Sequence, residues 1–324
     1  MPATAPLTGV VLLNMGGPDS LSAVRPFLAR LLSDRDLIRL PAAFLTQPLF
    51  AWLVSGLRAR KVKRYYEEIG GGSPIGRLTG LQRAALEEAL RGTGGNFRVY
   101  VAMRYWHPLA KHAVLEMKDD GVVRAIALPL YPQYFAATTG SSLSDLKGWM
   151  RWAGVSFPLR EIRSYPDHPG YIAALSGKIA DTLAGAGTGR THLLFSAHGV
   201  PKSFIDAGDP YQAEIGRTVA AVMRGFPDIP HSISYQSRAG RAEWLGPDTV
   251  AEVERLGREG IETLVVVPVS FVSDHIETLH ELDIRLKATA EQAGIKTFLR
   301  VPAQNDSPAF IRALKEIVLA AGRS

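Results

Sequence analysis

Eight short β-rich runs alternate with amphipathic helical stretches along the chain, and this alternation restricts the fold more than any other feature. The runs 9–14, 98–104, 123–129, 161–165, 191–197, 232–236, 263–269 and 297–301 read as strands. Helical periodicity marks 81–90, 108–119, 171–183, 211–223, 248–259 and 276–292. Several strands are unbroken apolar runs, such as Leu264-Val265-Val266-Val267, as expected of parallel strands buried on both faces. Alternating β and α implies right-handed crossovers and an α/β fold. Two groups of four strands predict two Rossmann-like domains, each a parallel sheet flanked by helices, with a cleft between them. The boundary is expected near 152–158, giving domains 1–155 and 156–307 and a last helix in 308–324 that packs back on the N-terminal domain.

Composition narrows the function classes. The 324 residues are 46% apolar and 21% charged, the balance of a globular protein. Thirty-seven Lys and Arg against 31 Asp and Glu give +6, spread along the chain, which argues little for nucleic acid and leaves room for an anionic surface or an acidic ligand. Cysteine is absent, which excludes disulfides, thiolate zinc sites, cysteine-ligated iron–sulfur clusters and cysteine nucleophiles. The first apolar run ends at Asn14 in a Gly-Gly-Pro turn and reads as a strand rather than a signal peptide. The stretch 40–57 is apolar but broken by Thr46-Gln47-Pro48, too short to span a bilayer.

In parallel α/β folds, ligands bind beyond the carboxyl ends of the strands. Here those ends carry Asn14-Met15-Gly16-Gly17-Pro18, Arg104-Tyr105-Trp106-His107-Pro108, Tyr131-Pro132-Gln133-Tyr134, Ser196-Ala197-His198-Gly199 and Ser270-Phe271-Val272-Ser273-Asp274-His275. His198, at the end of a buried strand, suits a general base or a metal ligand, or is a histidine satisfied by hydrogen bonds at a loop start. On a regular α-helix Asp274, Glu277 and Glu281 would lie along one face, a cation or proton path or else a solvated acidic face. Gly70-Gly71-Gly72-Ser73-Pro74 lacks the Lys-Ser/Thr of a phosphate loop, and Gly16-Gly17-Pro18 lacks dinucleotide spacing, so both read as turns. Thr138-Thr139-Gly140-Ser141-Ser142 could bind a carboxylate or simply cap a helix.

Taken together these segments resemble the ferrochelatases, enzymes that insert Fe²⁺ into a porphyrin. The resemblance rests on Leu13-Asn14-Met15-Gly16-Gly17-Pro18, Ile69-Gly70-Gly71-Gly72-Ser73-Pro74-Ile75, Arg104-Tyr105 with His107-Pro108, Tyr131-Pro132-Gln133-Tyr134 with 138–142, Ser196-Ala197-His198, Gly208-Asp209-Pro210-Tyr211, Trp244-Leu245-Gly246-Pro247 and Ser273-Asp274-His275-Ile276-Glu277-Thr278-Leu279, in family order. It implies two Rossmann-like domains around a porphyrin cleft, with His198 and Glu277 at the catalytic and iron-binding positions. Asp274, His275 and Glu281 match the family's acidic helix with its widened π-turn. Met15, Tyr66, Arg104, Tyr105, Ser141 and Trp244 match residues that line the macrocycle pocket.

The resemblance implies Fe²⁺ and protoporphyrin IX as substrates, with Met15 favouring protoporphyrin over coproporphyrin, and no prosthetic group. The [2Fe–2S] cluster of the animal enzymes is not expected in a chain without Cys. Arg285 stands where the acidic line often continues, which puts in doubt a path beyond Glu281. One geometric expectation follows: an imidazole from one lobe and a carboxylate from the other meet over the ring centre. Phe44-Leu45, Leu49-Phe50 and Trp52-Leu53-Val54 match the family's lip, and with Arg58, Arg60, Lys61, Lys63 and Arg64 behind them residues 44–54 suit peripheral docking to an anionic membrane or packing on the sheet. The expected location is the cytoplasm, on or off the inner membrane. A porphyrin or haem carrier, and a chelatase for cobalt or nickel, are the competing functions.

Overall fold

The computed structural model describes residues 5–37, 43–238 and 242–323, the side chains of residues 43–45 and 323 excepted. These residues form two compact units. One gathers the chain up to Tyr131 with Phe135–Ser164 and the stretch from Leu314; the other gathers Pro132–Tyr134 and Tyr165–Ala313.

In the first unit the order is β1 (Leu7–Asn14), α1 (Val24–Leu32), α2 (Ala43–Glu68), α3 (Ile75–Leu90), β2 (Asn96–Met103), α4 (Ala110–Asp119), β3 (Arg124–Pro129), a π-helix π1 (Ala136–Gly140), α5 (Ser141–Trp152) and β4 (Leu159–Glu161). The strands form one sheet in the order β2-β1-β3-β4, every pair parallel. Alternation along β1 sends Val11 and Leu13 into a core with Val114 and Met117 of α4 and Leu146 and Met150 of α5. The strand expected at 161–165 lies instead at Leu159–Glu161. Its apolar residues misled: after Ile162 donates to Ala127 the chain leaves the sheet, and Tyr165 packs edge-on against Tyr171 in the second unit.

Helix α2 corrects a second expectation, because it runs through Pro48 without a break. Proline removes one hydrogen bond near the helix start, and packing against α1, with Ala51, Ser55 and Ala59 buried, outweighs it. Gln47, read as part of a break, donates from Nε2 to the carbonyls of Leu32 and Asp34 (3.1 Å each), satisfying the end of α1. The glycine turns have a packing cause. A Cβ on Gly17 would sit 2.7 Å from Ser73, and one on Gly72 would sit 2.5 Å from the Asp19 carbonyl oxygen.

The second unit contains α6 (Pro169–Leu183), β5 (Thr191–His198), α7 (Lys202–Asp206), α8 (Tyr211–Met223), β6 (His231–Gln236), α9 (Thr249–Arg258), β7 (Thr263–Pro268), a π-helix π2 (Glu277–Leu286), α10 (Lys287–Gln292), β8 (Thr297–Arg300) and the start of α11 (Pro308–Arg323). Its parallel sheet has the order β6-β5-β7-β8. Each sheet starts at an inner strand, steps to one side and then to the other, so its topological switch points are β1/β3 and β5/β7, where such folds bind ligands. The helix that periodicity predicts over 276–292 is π-wound over Glu277–Leu286, where the resemblance implied a widened turn, and α-helical over Lys287–Gln292. Leu282 and Leu286 of π2 anchor it in a core with Leu194, Leu264, Val266, Leu256 and Ala290.

Leu282 is 1% exposed, so Leu282→Ala should cost about 2–5 kcal/mol. Denaturant unfolding checks this, and a loss under about 1 kcal/mol would mean that π2 is not held by its apolar face.

Candidate active site

Residues alternate across a strand, so Leu194, Ser196 and His198 share one face of β5, the face whose core includes Leu282 and Leu286 of π2. His198 is the last residue of β5, and its ring emerges at the edge of that core beside π2, with a third (33%) of the side chain exposed. Its Nδ1 lies 2.7 Å from Glu277 Oε2. The backbone of His198 is held from behind: its N–H donates to Ser270 Oγ (3.1 Å), and its carbonyl accepts from the Tyr211 hydroxyl (3.0 Å), which also meets Ser270 Oγ at 2.8 Å. Glycine follows because a Cβ on Gly199 would lie 2.6 Å from the Gln236 carbonyl oxygen. Trp244 packs over this glycine, its ring 3.5 Å from the same Cβ position.

Two neighbours organise the carboxylates. Ser196 Oγ donates to Gln236 Oε1 (2.7 Å), which fixes the amide so that Nε2 donates to the Glu277 carbonyl (3.2 Å) and to Glu281 Oε2 (3.1 Å). Ser237, at φ +66° in the left-handed region that few non-glycine residues adopt, donates from Oγ to Glu281 Oε2 and lies 3.5 Å from Glu277 Oε2. His275 completes the group. Its Nδ1 lies 3.0 Å from the Ser273 carbonyl, which can only accept, so Nδ1 carries the proton and Nε2 presents its lone pair 3.9 Å from Glu277 Oε1. The Phe271 ring contacts both imidazoles, at 6.2 Å from His198 and 4.7 Å from His275.

The electrostatics separate these groups. Burial opposes charge on His198, but the Glu277 carboxylate and its hydrogen bond outweigh burial and raise the imidazole above its ordinary pKa. Burial works the other way on Glu277, where the His198 charge and hydrogen bond win and hold the carboxyl well below the usual range. Glu281 is raised, by burial first and by the Glu277 charge second. His275 is lowered, with burial the first cause. A low carboxyl beside a raised one, with a raised imidazole against the first, is the pattern by which sites divide acid and base roles.

Not every expected residue joins this group. His198 and Glu277 both belong to the second unit, one ending β5 and the other opening π2 after β7, so the expectation of one group from each lobe is corrected. They meet because β5 and β7 are paired neighbours. Asp274 is not in line with Glu277 and Glu281. It precedes π2, and its carboxylate accepts from Arg300 (3.0 Å), Asn305 (2.8 Å) and Thr278 (3.0 Å). The reading of one acidic face assumed an α-helical period that this segment does not have.

The residues expected to line the macrocycle divide between the units. Trp244 is in the second; Met15, Tyr66, Arg104, Tyr105 and Ser141 are in the first. Arg104, Tyr105 and Ser141 converge on Asp34, which sequence reasoning missed. Asp34 Oδ2 accepts from Tyr105 Oη (2.6 Å), Ser141 Oγ (2.7 Å) and Arg104 Nη2 (2.9 Å). Burial favours protonating Asp34, and these donors together with the Asp36 backbone N–H overcome it, so the carboxyl is lowered. Arg104 and Ser141 line a cavity of about 420 Å³ with Asp145 and Trp149. Met15 is half-buried, whereas Tyr66 is buried. Gln236, Ser237 and Asp34 carried no motif, since each becomes a partner only through strand register or a distant loop.

Comparison with known proteins agrees on one family. The ferrochelatase family model matches residues 7–321. A ferrochelatase of Geotalea uraniireducens is 48% identical over 312 residues, 96% of this chain and 97% of that protein. A ferrochelatase of Geobacter metallireducens is 48% identical, covering 97% and 98%. A ferrochelatase of Synechocystis is 48% identical, covering 96% of this chain and 81% of that protein. Among solved structures, SirB from Bacillus subtilis with Fe³⁺ superposes with a TM-score of 0.59 at 10% identity, covering 97% of this chain and 95% of that one. CbiX, described as the terminal enzyme of sirohaem biosynthesis in denitrifying bacteria, superposes at 0.50 with 16% identity, covering 97% and 99%. At these identities the structures speak to the fold alone.

The His198 pair gives a direct test. In an NMR titration of the imidazole resonances, His198 should titrate above the ordinary value of about 6.5. In Glu277→Gln burial is no longer opposed by that carboxylate, and the value should fall. An unchanged His198 titration in the variant would remove Glu277 as the cause.

Proposed function

The chain belongs to the ferrochelatase family, and from that premise we propose how its residues carry out the reaction. The enzyme inserts Fe²⁺ into a porphyrin in haem biosynthesis. Two pyrrole protons must leave the ring, and the metal must shed water before it enters. The observation that carries the assignment is the 2.7 Å contact between His198 Nδ1 and Glu277. A carboxylate there holds the proton on Nδ1 and leaves the lone pair on Nε2, the arrangement by which a carboxylate orients an imidazole and raises its basicity. His198 Nε2 accepts a pyrrole proton, and Glu277 stabilises the resulting imidazolium. Glu281, with its raised pKa and its hydrogen bonds from Ser237 and Gln236, passes protons onward.

Imidazole and carboxylate are also a suitable donor set for an Fe²⁺ ion that must be released again. His198 and Glu277 supply it, and among the described residues no third His, Asp or Glu joins them in a group that could hold a metal ion. Fe²⁺ is substrate here, and no prosthetic group is required. Met15, Tyr66, Arg104, Tyr105, Ser141 and Trp244 bind the macrocycle, with protoporphyrin IX the porphyrin that Met15 favours.

Helix α2 supports contact with a membrane surface. Leu49, Trp52, Leu53 and Leu57 lie along one face and are 51–76% exposed, and Arg58, Arg60, Lys61 and Arg64 follow, also exposed. Among the described residues no helix is long and apolar enough to cross a membrane. An apolar stripe with basic residues behind it suits peripheral docking to anionic lipid, which agrees with a cytoplasmic protein that visits the inner membrane. Phe44 and Leu45 of the same expected lip have side chains outside the described residues.

In anaerobic assays with Fe²⁺ and protoporphyrin IX, His198→Ala and Glu277→Gln should each lower kcat at least about 100-fold. Porphyrin binding, followed by fluorescence quenching, should stay within about threefold. Full activity in either variant would end this assignment. In vesicle sedimentation, Leu49→Asp/Leu53→Asp should lose binding to phosphatidylglycerol vesicles with assay activity in solution intact. Retained vesicle binding would exclude the α2 face.

A further inference from the structure

Glu277 and Glu281 hold their places only while π2 keeps its wide turn. A π-helix has poorer hydrogen-bond geometry than an α-helix and normally persists for a single turn, yet π2 continues for ten residues. Something outside the helix must hold it. The apolar anchors Leu282 and Leu286 bury one side of the segment but do not by themselves select a π over an α winding.

The selection comes from β8. Arg300 Nε and Nη2 grip Asp283 in two bonds (2.5 and 2.9 Å), and the same guanidinium reaches Asp274 Oδ1 from Nη1 (3.0 Å). The arginine and Asp274 side chains are only 11% and 15% exposed. Asn305 adds a second contact from beyond β8. At φ +47°, a conformation asparagine tolerates better than most residues, it donates from Nδ2 to Asp274 Oδ2 (2.8 Å) and accepts the Asp274 backbone N–H at Oδ1 (2.9 Å). Ser237 and Asn305 are the two non-glycine residues with positive φ among the described residues. Each hydrogen-bonds a carboxylate of this segment.

Asp274 stands before π2, tied to Arg300 and Asn305, and Asp283 lies six residues after Glu277 within it. Over six residues an α winding makes about 1.7 turns, and the wider i→i+5 winding makes about a third of a turn less. A change of winding would swing Asp283 away from the guanidinium that also holds Asp274, so the bridge opposes the α form. We infer that Arg300 is a positioning residue for metal insertion: by bridging Asp274 and Asp283 it holds π2 in its π winding and so keeps Glu277 on His198 and Glu281 on Ser237. The catalytic consequence rests on the roles given above to Glu277 and Glu281; the clamp itself does not.

The variants are Arg300→Ala, Arg300→Lys, which keeps the charge but loses the planar fork, and Asp283→Asn, a milder change should the arginine variants fold poorly. Hydrogen–deuterium exchange is read by mass spectrometry on peptides covering 274–287, β5 and β7. Exchange over 274–287 should accelerate at least tenfold in every variant while β5 and β7 keep their wild-type rates. In the Fe²⁺ assay kcat should fall at least tenfold with the porphyrin KM within twofold, and Arg300→Ala/Asp283→Ala should be no worse than Arg300→Ala alone. Unchanged exchange over 274–287, or equal acceleration in β5 and β7, would overturn the clamp whatever the activity. Localised acceleration with wild-type kcat would support the clamp and overturn the roles of Glu277 and Glu281.

Discussion

A single short contact, between the His198 imidazole and the Glu277 carboxylate, organises the chemistry of this protein. Each partner alone would be costly in its partly buried surroundings, where burial pushes the imidazole toward neutrality and the carboxyl toward protonation. Together each reverses the other's shift, which keeps a base and an anion side by side in one site. The rest of the second unit can be understood as the means of bringing these two groups to 2.7 Å and keeping them there.

The means are topological first. A parallel sheet with the order β6-β5-β7-β8 places the carboxyl end of β5 beside that of β7. A histidine ending one strand and a helix opening after the other are thereby brought together without a long loop. Local chemistry then sets the details. Tyr211 and Ser270 hold the backbone of His198, Gln236 donates to the Glu277 main-chain carbonyl and to the Glu281 carboxylate, and a strained Ser237 supplies a further donor. Strain at such a position is the mark of a site whose surroundings over-determine it. The first unit repeats the device with different residues, gathering Arg104, Tyr105 and Ser141 on buried Asp34.

Much of this was readable in the sequence. Unbroken runs such as Leu264-Val265-Val266-Val267 announce buried parallel strands, and seven of the eight expected strands overlap their observed positions almost fully; the eighth, β4, is displaced toward the N-terminus and shares only Glu161. His198 and Glu277 were legible because they sit at strand ends within recognisable motifs. What was lost was lost for physical reasons. Pro48 looked like a break because local propensity cannot show that α2 is held by packing on α1. Apolar spacing reads the π2 segment with an α period, and only the family resemblance implied a widened turn there; the α reading lined Asp274 up with glutamates it does not join and hid its attachment to Arg300. Asp34, Gln236 and Ser237 sit in ordinary-looking polar stretches, and register alone makes them partners. The pairing of one group from each lobe failed because the boundary near 152–158 already puts His198 and Glu277 in one domain, where the strands they follow are neighbours in one sheet.

The central claim is a statement about one proton: Glu277 keeps it on Nδ1 of His198, so that Nε2 is the nitrogen offered to the substrate. Nitrogen-15 NMR of selectively labelled histidine, above the pH at which His198 loses its charge, reads this directly. The account requires Nδ1 to give the shift of a protonated ring nitrogen and Nε2 that of a bare one. A neutral His198 carrying its proton on Nε2 would contradict it.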